Sequence, residues 1–363
     1  MRLLQIVPRL RPAHDGIGEN ALRFAECLRS NHGLNTTFLI CDPAWKGHEQ
    51  IEGFPVRALS ARSKINLKAE LANFLSASEP AAILLQFAPY GFEKRGVPFW
   101  LVSGLREVHR QTPFKLLTMF HELNAGRGKP WSSTFWLSHV QKRLILQIAR
   151  LSHVTLTNAA YHQKLLERWG IRKFGPLLPI FSSVGEPSSL APWSERKKQV
   201  VVFGRASHRK LTYSEGFAAL SRTCKLIDAD NIIDIGEPFD LTSVSQSLGI
   251  PVTSCGRLSD EEVSVQMEQS QGSFLYYPEA LLSKSSVFGA TCAHGTIPFV
   301  ASQEDPLSNS SEFEKNLDYI KVDPSGPLPE IPDLAAMSSA VYQRYQSRSS
   351  RANASLLADL IRN

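Results

Sequence analysis

Residues 200–210 read VVVFGRASHRK. The apolar run Val200–Phe203 has the character of a strand buried on both faces. Gly204 ends it, and Arg205, His208, Arg209 and Lys210 follow at once. In an open parallel α/β sheet, ligands bind beyond the carboxyl ends of the strands. A buried strand that carries cations to that edge therefore reads as half of an anion site. The run also opens a second α/β pattern after a complete first one, which predicts two domains with the ligand between them.

Upstream of this stretch, β-branched apolar runs alternate with amphipathic segments of helical length. The pattern predicts strands at 3–7, 36–40, 82–87, 115–120 and 154–157, and helices near 18–31, 68–76, 99–110 and 135–150. That order describes repeated βαβ units on a parallel sheet. Residues 182–198, SSVGEPSSLAPWSERKK, concentrate Pro, Ser and Gly, lose periodicity, and read as an interdomain linker. Downstream the scheme repeats, with strands at 199–203, 232–235, 252–254, 273–277, 297–300 and 319–322. Helices are predicted over 213–226, 260–269, 285–293 and much of 335–361, where SRSSRANAS divides the last into two. The fold class is α/β: two Rossmann-like, doubly wound domains facing each other across a cleft.

The bulk composition agrees with this. The 363 residues are 43% hydrophobic and 20% charged, enough for two full cores and unlike a disordered chain. The net charge of +6 points to anionic partners, either phosphate groups or peripheral contact with an anionic membrane. No basic run or RNA-binding signature accompanies it, so nucleic acid is excluded as the expected partner. Five widely spaced cysteines without a CxxC argue against a disulfide frame or a zinc site. They fit a cytoplasmic protein: no apolar stretch is long enough to span a bilayer, and no amphipathic anchor stands out.

Five segments carry candidate chemistry. In HDGIGENALRFAECL (14–28), Asp15, Gly16 and Gly18 separate the first strand from its helix. Glycines there permit positive φ and close approach of a ligand to the backbone, and a helix start favours negative charge. Tight packing explains them equally well, and the dinucleotide fingerprint is broken by Ala21. In MFHELNAGRGKPW (119–131), His121 follows a strand at the functional edge, where imidazole can donate to a hydroxyl or act as acid or base. Glu122 beside it can hold a hydroxyl; Arg127 and Lys129 read mainly as solvated. At 204–210, Arg205 and Lys210 combine a planar fork and a point charge suited to a diphosphate. In YYPEALLSKSSVFGATCAHGTIPFV (276–300), Lys284, Ser285 and Ser286 stand at a predicted helix start, a ready anion site or an ordinary serine cap. In SCGRLSDEEVSVQMEQS (254–270), the backbone of Gly256, Arg257 and Leu258 is placed to bond a planar base, ahead of a helix capped by Ser259 or Asp260. No GxSxG elbow, P-loop or metal spacing is present.

Taken in order, MRLLQIVPRL with DGIGENALRFAECLRSNHG, LLTMFHE, VVFGRASHRK, SCGRLSDEEV and AHGTIPFV resemble the family-4 glycosyltransferases of the GT-B fold. The resemblance spans nearly the whole chain. It implies an N-terminal Rossmann-like acceptor domain over 1–183, a linker over 184–198 and a nucleotide-sugar domain over 199–340. Residues 341–363 then form a helical segment able to pack back on the first domain. It further implies transfer of a hexose from a nucleotide-diphosphate sugar to a glycan, lipid-linked or small-molecule hydroxyl, with retention and without a metal or other cofactor. Polysaccharide biosynthesis is the implied setting. Arg205 and Lys210 would stabilise the leaving diphosphate and His121 would contact the donor sugar. Gly16, Gly18, Gly204, Gly256, Arg257, Leu258, Lys284, Ser285 and Ser286 would line the donor, and Asp15 and Glu122 the acceptor.

One departure stands out. The family carries two glutamates eight positions apart before the glycine at 295, and here those places hold Leu282 and Ala290. This keeps two alternatives in view: a nucleotide-sugar-binding protein without catalysis, and another GT-B enzyme such as a nucleotide-sugar epimerase or hydrolase. A Rossmann dehydrogenase fits poorly, given the incomplete fingerprint and the cations of the second half.

Overall fold

The computed structural model describes residues 1–13, 15–76, 79–123, 133–302, 311–327 and 333–363. Arg127 and Lys129 lie outside the described residues. The chain divides into two compact units, one of Met1–Leu178 with Ser350–Asn363 and one of Pro179–Ser349.

The first unit runs β1 (Arg2–Val7), α1 (Gly16–His32), β2 (Asn35–Ile40), β3 (Gln50–Ile51), β4 (Phe54–Ala58), α2 (Lys64–Leu75), β5 (Ala81–Phe87), α3 (Pro89–Phe92), α4 (Phe99–Gln111), β6 (Lys115–Phe120), α5 (Ser133–Leu151), β7 (Val154–Thr157), α6 (Ala160–Arg168) and β8 (Phe174–Leu177). Its sheet order is β3-β4-β2-β1-β5-β6-β7-β8, parallel except for the β3–β4 hairpin. The chain builds outward from β1 to one side and then restarts at β5 on the other, which puts the topological switch point between β1 and β5. Leu4, Ile6, Ile83, Leu85, Phe87 and Phe120 enter the larger core on one face. Val7, Ala21, Leu22, Phe38 and Ile40 pack together on the other. The hairpin escaped the sequence reading because its turn is Glu52-Gly53, both at positive φ (52° and 77°). The usual signal for such a turn is Asn or Asp before Gly.

The second unit continues with β9 (Lys197–Phe203), α7 (Ala206–Tyr213), α8 (Phe217–Leu226), β10 (Asn231–Ile235), α9 (Thr242–Leu248), β11 (Val252–Gly256), α10 (Asp260–Glu268), β12 (Ser270–Tyr276), α11 (Ser286–Ala293), β13 (Ile297–Ala301), β14 (Ile320–Lys321) and α12 (Leu334–Gln346). Its sheet is wholly parallel in the order β11-β10-β9-β12-β13-β14, with the switch point between β9 and β12. α13 (Ser350–Arg362) then returns to the first unit. There it packs on α1, with Cys27 donating to Ser350 and Arg362 donating to the His32 carbonyl.

Two segments differ from the sequence expectation. The predicted helix over 213–226 is α8, which begins only at Phe217, and a second, unpredicted helix, α7, precedes it directly after Arg205. They part near Gly216, where an added Cβ would lie 2.9 Å from both the Thr212 carbonyl and the Tyr276 ring. The residues read as a linker also make ordered contacts within the second unit. Tyr345 accepts from the Ser182 amide and donates to Glu186, and Tyr342 donates to the Pro187 carbonyl. Arg196, buried, donates to the carbonyls of Ser270 and His294. The structural division falls at Leu178–Pro179.

Candidate functional site

In the second unit the site begins with β9. Val200, Val201 and Val202 are fully buried, and the strand ends at Gly204 with φ 132°. Gly236 (φ 140°) and Gly256 (φ 69°) end the neighbouring β10 and β11. The Gly204 amide donates to Ile235 and the Gly236 amide to Gly256, so the three carboxyl ends form a backbone edge. At Gly236 any side chain would collide, its Cβ lying 2.5 Å from the Gly204 carbonyl. The sequence reading named Gly204 and Gly256 and missed Gly236, whose signal is the apolar strand NIIDI directly before it.

Arg205, exposed, occupies the cap position of α7 without a side-chain cap bond. Because the helix starts there, the cations after it belong to a helix and separate by direction. Arg209 turns inward, 1% exposed, and its Nε donates to the Gly204 carbonyl at 3.0 Å. Its guanidinium pairs with the fully buried Asp234 of β10 and donates to the Glu237 carbonyl. Tyr213 donates to the second Asp234 oxygen at 2.8 Å. Burial first, and then the neighbouring Asp234 charge, push the Tyr213 phenol well above its ordinary value, so it stays a donor. A buried carboxylate held by an arginine fork and a phenol is a brace for the turn. Lys210, exposed, sits with its ammonium 5.5 Å from the Phe239 ring centre.

Across the switch point, β12 leads through Tyr276 and Tyr277 to a 3-10 turn over Glu279–Lys284 and then to α11. Ser285, one of the serines the sequence places at this helix start, is the N-cap and accepts from the Phe288 amide at 3.1 Å. Ser286 and Lys284 are half-buried beside it. A crevice open to solvent, about 340 Å³, lies here between Phe203, His208, Arg209, Tyr276, Tyr277 and Ser285. Arg205 and Lys210 do not line it. Gly256, Arg257 and Leu258 stand farther along the same edge, two strands from β9. Arg257 is exposed beside Glu237, and Ser259 forms a full capping box with Glu262.

Leu282 and Ala290 are buried in the apolar interior. Glu279 is buried as well, bonded to Tyr319 and Lys321. Burial pushes its carboxyl up, but the bonds from Lys321 and Tyr319 outweigh this and hold it below its ordinary value.

In the first unit, Asp15 caps α1, its carboxylate accepting from the Ile17 amide at 3.0 Å. Gly16 and Gly18 are helical, and neither has positive φ. Gly18 is required by packing, since an added Cβ would lie 2.3 Å from the Arg9 carbonyl. Gly16 has open space around it. At the end of β6, His121 is buried and Glu122 is exposed. His121 Nε2 bonds the Gln86 side-chain oxygen at 2.8 Å, and Gln86 donates to Gln5 at 2.9 Å. Neither glutamine was singled out in sequence, although a polar residue inside a buried strand demands a partner.

Among the described residues, no group of three or more His, Cys, Asp or Glu side chains is arranged to hold a metal ion, and no helix is long and apolar enough to cross a membrane.

No protein-family profile matches this chain, and no curated protein matches it in sequence. Solved structures do match. The lipopolysaccharide outer core galactosyltransferase WaaB, in its apo form, aligns over 99% of both chains with a TM-score of 0.59 at 11% identity. The E. coli trehalose-6-phosphate protein bound with UDP-2-fluoro glucose aligns over 100% of this chain and 99% of its own, with a TM-score of 0.59 at 10% identity. The pneumococcal O-GlcNAc transferase GtfA, in complex with UDP and GlcNAc, covers 100% and 95% with a TM-score of 0.54 at 10% identity. The fold is that of the GT-B glycosyltransferases. At such identities the likeness speaks of fold, and residue roles rest on chemistry.

Proposed function

We propose that this chain is a retaining glycosyltransferase of the family-4 type, moving a hexose from a nucleotide-diphosphate sugar to a hydroxyl acceptor. The observation that carries the reading is the second unit's switch point. There the braced Gly204–Arg205 turn ends β9 beside β12 and the serine-capped start of α11, in a chain of GT-B fold. Glycine backbone and a helix start are suited to phosphate oxygens. Arg205 and Lys210 are assigned to the leaving diphosphate, where fixed cations act on charge that grows in the transition state. Lys284, Ser285 and Ser286 are assigned to the same diphosphate. Gly256, Arg257 and Leu258 are assigned to the base, with Gly204 against the phosphates. His121 is assigned to the donor sugar and Glu122 to the acceptor. Asp15 and Gly16 keep an assignment beside the substrate, whereas Gly18 is accounted for by packing.

Thermal-shift measurements against nucleotide diphosphates and their sugars test the reading. A ligand present at 100 times its Kd adds about 2.7 kcal/mol to apparent stability. Stabilisation by one nucleotide series, followed by acceptor-dependent consumption of its sugar, supports the proposal. No shift with any nucleotide would overturn it. The apolar burial of Leu282 and Ala290 favours one second reading, binding without catalysis. Tight donor binding with no turnover across an acceptor panel would select that one, and consumption without an acceptor would select an epimerase or hydrolase.

A further inference from the structure

We propose that Gln5 and Gln86 are positioning residues that fix the tautomer of His121 through a one-directional hydrogen-bond relay. The three residues sit on adjacent strands β1 and β5 and at the end of β6. In register, Gln5 lies opposite Leu84, and Gln86 lies opposite Met119. Each partner is thus displaced two residues toward the carboxyl edge, so the relay climbs the sheet to His121. All three are interior, at 0%, 1% and 4% exposure.

The direction is set at the bottom. Gln5 Nε2 donates to the Ala21 carbonyl of α1 at 3.4 Å, and a carbonyl oxygen only accepts. The Gln5 oxygen is therefore the end that meets Gln86, and it accepts from Gln86 Nε2 at 2.9 Å. This leaves the Gln86 oxygen facing His121 Nε2 at 2.8 Å. A neutral ring with its lone pair on Nε2 would set two acceptors against each other inside the sheet. The relay consequently requires a proton on Nε2, and the neutral ring carries its lone pair on Nδ1. The imidazolium also donates from Nε2, so protonation leaves the relay intact.

Two glutamines in otherwise apolar strands thus connect a helix carbonyl to the functional edge. Second partners of this kind set which ring nitrogen is protonated and how the ring is aimed. The catalytic consequence rests on the transferase reading; the tautomer itself does not.

Long-range proton–nitrogen NMR of the full chain, with 15N-labelled histidine, tests the proposal. The His121 signals are assigned by their loss in His121→Gln. The wild-type ring is expected to show protonated Nε2 and, when neutral, a pyridine-like Nδ1. Gln5→Leu, which never touches the imidazole, should release Gln86 to flip and mix the two tautomers. Gln5→Glu still offers Gln86 an acceptor and should keep the wild-type signature. A wild-type neutral ring protonated on Nδ1 overturns the proposal, as does a folded Gln5→Leu with an unchanged tautomer. Should Gln5→Leu fail to fold, a folded Gln5→Glu that loses the Nε2 proton overturns it, and one that keeps it supports it. With a donor and acceptor in hand, kcat of Gln5→Leu should fall between about 10-fold and 10²-fold at nearly constant donor KM. If the wild-type protein shows no transfer, the NMR result still decides the relay, while the transferase reading fails separately.

Discussion

The two switch points are built alike and supported differently. In the first unit, a neutral chain of amides runs beneath His121. In the second, a buried ion pair between Arg209 and Asp234 lies beneath the Gly204–Arg205 turn. Amides give direction at little electrostatic cost, which suits a ring whose two nitrogens must be told apart. A guanidinium fork gives stiffness and can bond several carbonyls at once, which suits a glycine turn with no side chain to anchor it. The cost is the desolvation of two charges.

The comparison breaks first at Arg209. Arg209→Met strands Asp234 in the interior and should lower stability by about 3–5 kcal/mol, measured by denaturant unfolding. If the neutral relay is as demanding as the brace, Gln5→Leu would cost as much; about 1–3 kcal/mol is expected. Arg205→Ala sharpens the contrast from the other side. It should remove about 2.7–4 kcal/mol of transition-state stabilisation while leaving the melting temperature in place, because the side chain is exposed and makes no cap bond. Unchanged kcat in folded protein would remove Arg205 from the chemistry.

How far these features were legible in sequence depends on whether their cause is local. The run Val200–Phe203, a serine at the start of α11 and a cap at Ser259 or Asp260 follow from neighbours in the chain; the structure settles the caps on Ser285 and on a Ser259–Glu262 capping box. The start of α7 was missed because Arg205 is not a capping type. The inward turn of Arg209 depends on Asp234, 25 residues away. Gln86 was read past as part of the apolar run AILLQF (82–87), since its partner Gln5 lies 81 residues earlier. Gly18 was recognised with two readings, ligand approach and tight packing; the atom that approaches it is the Arg9 carbonyl, as packing requires.

The close packing at Gly18 yields a smaller prediction. Gly18→Ala forces the Arg9 carbonyl to move and should cost about 1–3 kcal/mol of stability, as overpacking does. Loss of activity at full stability would restore the ligand reading.

The smallest effect concerns acid. Glu279 is held below its ordinary pKa of 4.5 in the folded protein, so its contribution is complete above that value. It is lost as pH falls through 4.5 toward the lowered folded value. Melting temperatures between neutral pH and pH 3 should fall less steeply for Glu279→Gln than for wild type. Parallel slopes would show that its bonds to Lys321 and Tyr319 carry no net charge linkage.

α13 lies beyond the second unit in sequence yet belongs to the first, where Ala354, Leu357 and Ile361 are buried. During synthesis from the amino end, the first unit to emerge therefore waits for this helix until the second unit has been translated. A ribosome-bound intermediate should hold α1 without its α13 partner throughout that interval.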